Sequence, residues 1–280
     1  MTGAVTSRDG TAIGYRRLGQ GPGVVVLHGA FESSESHREL AEALADAFTV
    51  TLPDRRGRGL SGPFGDHPGV QQEVEDLDAL LSESGARRVV GISSGAIVCL
   101  HAALALPALE KAVIFEPPLV LPRGAAALVA RCDRELAEGR TAAALVTAMK
   151  ASRMGPAVFD FAPRCLLEAL AGAMLRGEER GAGPDAMTVR KLAPTLRFDF
   201  ALALATDGQL ERFEAIRAAL LLLGGSRSPA FLKASLDGLH EILPAARRAV
   251  LPGLGHGALG NANRGGKPAR AAEALRRFLG

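Results

Sequence analysis

Arg88-Val89-Val90-Gly91-Ile92-Ser93-Ser94-Gly95-Ala96-Ile97-Val98-Cys99-Leu100 is the stretch from which the rest of the chain can be read. It opens β-branched and apolar, passes through G-x-S-x-G, and leaves in an apolar helical pattern, which predicts strand, turn and helix in that order. Small residues on both sides of Ser93 let the backbone turn sharply and hold the hydroxyl clear of the sheet. Ser93 is therefore the candidate nucleophile. A helix opening at Ser94 aims free backbone N–H groups, that of Ser94 among them, at negative charge developing beside the serine. G-x-S-x-G also arises by chance in glycine-rich chains, and this one has 33 glycines. The flanking strand and helix set this copy apart from a structural turn.

Outward from that turn, strand and helix signals alternate. Ala4 to Ser7 and Thr11 to Tyr15, joined through Arg8-Asp9-Gly10, read as a hairpin. Val24 to Leu27 is a continuous apolar run of the central parallel-strand type. His37 to Phe48 is helical, Thr49 to Leu52 a strand, Val70 to Ser82 a helix, Arg88 to Ile92 a strand, Ser94 to Leu106 a helix and Lys111 to Phe115 a strand. Such alternation predicts an α/β fold, a mostly parallel sheet covered on both faces by helices.

From about Leu121 to Leu204 strand signals stop and helical stretches follow one another, at Ala125 to Ala137, Thr141 to Arg153 and Pro163 to Leu175. This reads as a helical cap inserted into the sheet domain, which itself comprises residues 1–120 and 205–280. Arg176 to Pro184, rich in glycine and charge, reads as a mobile connection suited to a lid. The sheet resumes at Ala218 to Leu223, followed by a helix from Ala230 to Ile242, a strand at Ala249 to Leu251 and a closing helix from Pro268 to Leu279. No internal repeat is present.

Composition narrows the function. The 33 basic residues are interleaved with 30 acidic ones, and no basic tract or aromatic-basic stripe marks a nucleic-acid surface. The longest apolar stretch, Gly95 to Leu109, is broken by His101 and Pro107, so no membrane span is expected. The first ten residues carry no apolar core of signal-peptide length, from which a cytoplasmic location is expected. Cys99, Cys132 and Cys165 lie far apart in apolar helical patterns, which reads as three reduced core thiols and neither disulfides nor metal ligands.

A nucleophilic serine needs a base brought to it by the fold. Of the six histidines, His256 is the strongest, because Gly253-Leu254-Gly255-His256-Gly257 lies just beyond a short strand, at the end where parallel sheets place their sites. His101 and His240 fall on helices as structural or exposed residues, and His37 and His67 lie in polar neighbourhoods without telling spacing. His28-Gly29-Ala30-Phe31 directly follows a buried strand, and the N–H of Ala30, paired with that of Ser94, could form an oxyanion hole. His28 then shapes the turn. Asp54-Arg55-Arg56-Gly57-Arg58-Gly59-Leu60-Ser61-Gly62 lacks the Gly-Lys-Ser/Thr of a phosphate loop and reads as a structural loop with a buried aspartate-arginine contact.

Together, His28-Gly29, Asp54-x-Arg56-Gly57-x-Gly59-x-Ser61, Gly91-x-Ser93-x-Gly95 and Gly255-His256 resemble, in order and spacing, the α/β-hydrolase superfamily over essentially the whole chain. The resemblance implies that fold, with residues 121–204 in the place of the helical cap, and a Ser-His-acid triad that needs no cofactor or metal. In many members the acid follows the strand corresponding to Leu220 to Leu223, yet here that turn, Gly224-Gly225-Ser226-Arg227-Ser228-Pro229, holds no carboxylate. Members such as the haloalkane dehalogenases carry the acid one strand earlier, where this chain has Phe115-Glu116-Pro117-Pro118. Glu116 is costly to bury without a partner, and a protonated His256 would supply one. Asp199 and Asp207 are the other candidates for the acid.

A serine at position 93 argues against the aspartate chemistry of dehalogenases and epoxide hydrolases. Ile92 stands where relatives often have a polar residue. The cap's apolar helices, with Phe159 and Phe161 nearby, suggest an apolar small-molecule substrate. The expectation is an ester, thioester or lactone hydrolase with Ser93, His256 and Glu116 as triad and Ala30 and Ser94 as oxyanion donors. Two other readings stay open: a lyase or cyclase using the same pocket, and a ligand-binding protein with a vestigial site.

Overall fold

The computed structural model describes residues 1–65, 69–152, 161–183 and 186–280. Eight strands form one sheet in the order β1-β2-β4-β3-β5-β6-β7-β8. They are β1 (Thr2–Thr6), β2 (Ala12–Leu18), β3 (Gly23–Leu27), β4 (Thr49–Pro53), β5 (Arg88–Ile92), β6 (Lys111–Phe115), β7 (Ala219–Gly225) and β8 (Arg247–Leu251). Only β2 runs against its neighbours; every pairing from β4 to β8 is parallel. This is the predicted α/β architecture.

The strands' period-two alternation sends their side chains into two separate cores. Val25, Leu27, Val89, Ile114 and Leu222 face one side, where they pack with Leu77 of α2 (Val70–Ser84) and Ile97 and Leu100 of α3 (Ser94–Ala105). Val24, Val26, Val90, Val113, Phe115 and Leu223 face the other, against Leu40 and Leu44 of α1 (Arg38–Leu44) and Leu275 and Phe278 of the closing helix Pro268–Leu279. Because β5 lies between β3 and β6, its C-terminal end, and Ser93 with it, emerges at the middle of the sheet edge.

Between β6 and β7 the chain is helical: α4 (Ala125–Ala137), α5 (Thr141–Ser152), α6 (Arg164–Gly181), α7 (Val189–Leu192) and α8 (Leu196–Thr206). Cys132, Ala144, Ala148 and Leu196 of these segments form a small core of their own, against which Ala30, Phe31 and Phe200 pack. The insertion thereby rests on the loop after β3. The helix Ala230–Ile242 is α9 and Pro268–Leu279 is α10.

Three sequence expectations need correction here. Arg176 to Gly181 continues α6 instead of forming a mobile connection; Arg180 Nε donates to the Arg176 carbonyl, and Glu178 and Glu179 hold Val189 N–H and Arg190 Nε at 2.9 and 2.6 Å. Glutamate and arginine favour helix strongly enough to carry the chain through Gly177. Pro184 lies outside the described residues, as do Arg153, Phe159 and His67. Cys165 is exposed, whereas Cys99 and Cys132 are buried. It sits two positions before buried Leu167, on the opposite side of α6. Phe161, expected near the pocket, is 89% exposed.

Candidate active site

Ser93 occupies the turn between β5 and α3 with φ 54° and ψ −119°, a conformation that a side-chain-bearing residue keeps only where its surroundings impose it. Its N–H donates to the Phe115 carbonyl at 2.9 Å. The turn presses the backbone against its neighbours. A Cβ on Gly95 would stand 2.5 Å from the His28 carbonyl oxygen, and one on Gly91 2.6 Å from Ala96 Cα. Both glycines of the motif are thus required by contact.

His256 reaches the same place from the loop after β8. Its Nδ1 lies 2.7 Å from Oε2 of Glu116, and its ring stacks on Phe115 with centroids 6.0 Å apart. Glu116 directly follows β6, fully buried and with φ 49°, and its second oxygen accepts the Gly225 N–H at 2.5 Å. Both carboxylate oxygens are therefore occupied, as a buried carboxylate requires. Because Nδ1 faces the carboxylate, the neutral ring keeps its proton there and leaves Nε2 free to accept one. The carboxylate-free turn after β7 now has a physical reason: a Cβ on Gly224 would approach Glu116 Oε1 to 3.2 Å. Gly224 leaves space for an acid that arrives from the neighbouring strand, and Gly225 supplies the N–H that holds it.

The other candidate acids lie elsewhere. Asp207 accepts the Leu121 N–H at 2.8 Å. Asp199 is buried on α8 and pairs with Arg55 Nη1 at 2.9 Å and Arg58 Nη2 at 2.6 Å. Neither touches His256. The Asp54 loop is far more connected than one aspartate-arginine contact. Arg55 binds Glu73 through two bonds of 2.6 Å, Arg56 binds Asp76 at 2.7 and 2.6 Å, and Asp54 itself holds the Ser34 and Leu60 N–H groups.

Sequence reasoning passed over Glu32, three residues after Gly29. Its Oε2 accepts the Gly29 N–H at 2.7 Å and meets His37 Nε2 at 3.0 Å, while His37 Nδ1 is 3.0 Å from the Leu259 carbonyl. Burial opposes the charge on both, yet their mutual attraction outweighs it, holding Glu32 well below the usual carboxylate range and raising His37. His37 is thus a buried, paired residue and not a solvated one. His101 is tucked edge-on against Phe213, and burial lowers it to about 4. His240 is exposed.

Two clefts meet at Ser93 and His256. One is apolar, with Val129, Phe200, Ala203, Phe231 and Leu232 in its wall. The other is more polar and carries Glu32, Arg227 and Arg264. Ala30 belongs to both. Ser93 and His256 thus line one apolar cleft together, with Glu116 behind the imidazole.

A model described as "Alpha/beta hydrolase family" matches residues 24–266. Among solved structures, the chain is similar to an alpha/beta hydrolase from Sphaerobacter thermophilus DSM 20745, with 31% identity, a TM-score of 0.78 and coverage of 99% of this chain and 100% of that one. It shares the fold of the esterase RhEst1 from Rhodococcus sp. ECU1013, at 21% identity and a TM-score of 0.67, over 99% of this chain and 98% of the other. Non-heme chloroperoxidase CPO-A1 from Kitasatospora aureofaciens is 35% identical over 30% of this chain and 31% of its own length. The chain spans less than half the length of the curated relatives it matches.

Proposed function

The chain belongs to the alpha/beta hydrolase family, and from that premise we propose that it is a cofactor-free serine hydrolase acting on an ester, thioester or lactone. The observation that carries this reading is the 2.7 Å contact between Glu116 Oε2 and His256 Nδ1 at the cleft that Ser93 lines. Ser93 Oγ attacks the carbonyl carbon while His256 Nε2 takes its proton. Negative charge moves to the carbonyl oxygen, where the N–H groups of Ala30 and Ser94 receive it. His256 then protonates the leaving group, and water, deprotonated by the same nitrogen, releases the acid. Glu116 stays ionised and stabilises the imidazolium.

In this reading residues 121–204 act as a cap over a core of residues 1–120 and 205–280. Support comes from the contact of the inserted helices with Ala30 and Phe31 and from Val129 and Ala203 in the cleft wall. An apolar acyl group suits that cleft. No helix among the described residues is long and apolar enough to cross a membrane.

The test is a fluorophosphonate probe followed by peptide mapping. Labelling of Ser93, abolished in Ser93→Ala, is the expected result. A folded protein that takes up no label would overturn it. One observation favours a second reading, proton transfer without an acyl-enzyme: Glu32, paired with His37, lines the more polar cleft beside Ser93. A lyase or cyclase would turn over substrate after Ser93→Ala and lose activity in Glu32→Gln.

A further inference from the structure

Beneath the nucleophile turn lies a group of charges that the mechanism above does not use. Arg55, Arg58, Glu73 and Asp199 have side chains exposed by 1, 0, 6 and 1%. Such a cluster gains little stability over apolar residues of the same volume, so its value there is geometric. Three sets of contacts define that geometry.

The first set runs through the backbone of Arg55. Its N–H donates to His28 Nε2 at 3.1 Å, which makes Nε2 the acceptor and leaves the ring proton on Nδ1. That nitrogen is 2.9 Å from the Gly29 carbonyl oxygen and donates to it. Burial first, then the charges of Arg58 and Arg55, hold His28 neutral and far below its ordinary value. The Gly29 carbonyl and the Ala30 N–H belong to one planar peptide, so fixing the oxygen fixes the direction of the N–H.

The second set runs through the guanidinium. Nη1 of Arg55 donates to Ser94 Oγ at 3.0 Å, and that hydroxyl donates to Asp199 Oδ1 at 2.8 Å. Asp199 Oδ1 also accepts from Arg55 Nη1 at 2.9 Å, which closes a triangle around the residue that bears the second oxyanion N–H. The third set holds the guanidinium itself. Glu73 takes Nε and Nη2, and Arg58 Nη2 anchors the far oxygen of Asp199 at 2.6 Å.

We propose that Arg55 is a positioning residue that orients both peptides of the oxyanion hole at once, and that Asp199, reaching in from the helical insertion, locks it there. The inference rests on the acyl-transfer reading for its consequence in turnover, but the brace is a statement about two peptide groups. It makes the inserted helices part of the machinery that aligns the hole, as well as a wall of the cleft. Asp199, a candidate triad acid on sequence grounds, acts in this role through Arg55 and Ser94 and never on His256.

Ser94→Ala and Asp199→Asn, each in the full chain, test it through kcat, KM and the pH-rate profile for a p-nitrophenyl ester, the affinity for a trifluoromethyl ketone, and amide hydrogen exchange. Expected is a loss in kcat of roughly tenfold to a hundredfold with KM within about twofold, somewhat less than deleting an oxyanion donor costs. Affinity for the ketone, whose hydrate-like adduct carries an oxyanion, falls in parallel with kcat/KM. The pH-rate profile stays in place, and the amides of Ala30 and Ser94 exchange faster. A kcat within about twofold of the unaltered protein in both variants overturns the proposal. So does a loss confined to KM, or a displaced pH profile in Asp199→Asn, which would mark a triad acid. Because Asp199→Asn leaves two buried guanidiniums short of one charge, Ser94→Ala carries the comparison if that variant does not fold. If the unaltered protein turns over no ester, the acyl-transfer reading fails by itself, and exchange decides the brace: faster exchange supports it and unchanged exchange overturns it.

Discussion

Glu116 and His256, 140 residues apart in the chain, meet at 2.7 Å because β6 and the loop after β8 end at the same edge of the sheet. In the proposed mechanism the acid therefore comes from the end of β6, although the strand that often supplies it, β7, lies between them.

Glu116→Gln therefore keeps the shape and the Gly225 contact while removing the charge that faces the imidazole. Ester turnover falls by roughly a hundredfold to ten-thousandfold, with the far-ultraviolet spectrum and melting temperature little changed. Steady-state kinetics on the folded variant is the measurement. A loss below about tenfold would take the acid role away from Glu116.

The crowding at the nucleophile turn makes Gly95→Ala a structural test. Its Cβ would meet two backbone oxygens, His28 O at 2.5 Å and Leu27 O at 2.7 Å, and backbone in a parallel sheet cannot step aside as a side-chain tip can. Urea melts should show destabilisation of about 1–3 kcal/mol or more, with activity lost alongside. Unchanged stability would mean that the turn is looser than the geometry states.

The three thiols should differ sharply toward a disulfide reagent such as Ellman's. Cys165 is exposed on α6, while burial pushes Cys132 up to about 12 and Cys99 higher still. One thiol reacts rapidly in the native protein, the fast phase disappears in Cys165→Ser, and the other two titrate only in denaturant.

The Glu32–His37 pair has a signature in stability against pH. His37 is raised above its ordinary 6.5 in the folded protein, so its contribution is fully present below that value and is lost as pH rises through the folded value. Glu32 is lowered from 4.5, so its contribution is present above 4.5 and is lost as pH falls toward the folded value. The melting temperature should thus decline as pH is raised above 6.5, and the decline should be shallower in Glu32→Gln. Equal slopes in the two proteins would place the charge of His37 elsewhere.

Local sequence was enough for whatever depends on local geometry. Strand periodicity at Val24 to Leu27, Thr49 to Leu52, Arg88 to Ile92 and Lys111 to Phe115 located the sheet, because a parallel strand buried on both faces must be continuously apolar. Ser93 was legible because only small neighbours permit its turn, and His256 because glycines carry the loop that presents it. What the tertiary structure decided is the pairing of charges that lie far apart in the chain. Arg55 with Asp199 and Arg56 with Asp76 join groups whose distance along the chain says nothing about their distance in space. The exposure of Cys165 was settled the same way, by which face of the insertion the rest of the fold covers, whereas the helix at Arg176 to Gly181 is exposed and rests on local propensity. The acid shows the division most plainly. Sequence raised Glu116 only through a resemblance and through the cost of burying a lone charge, while the register of β6 beside β7, the space at Gly224 and the N–H of Gly225 brought its carboxylate to His256.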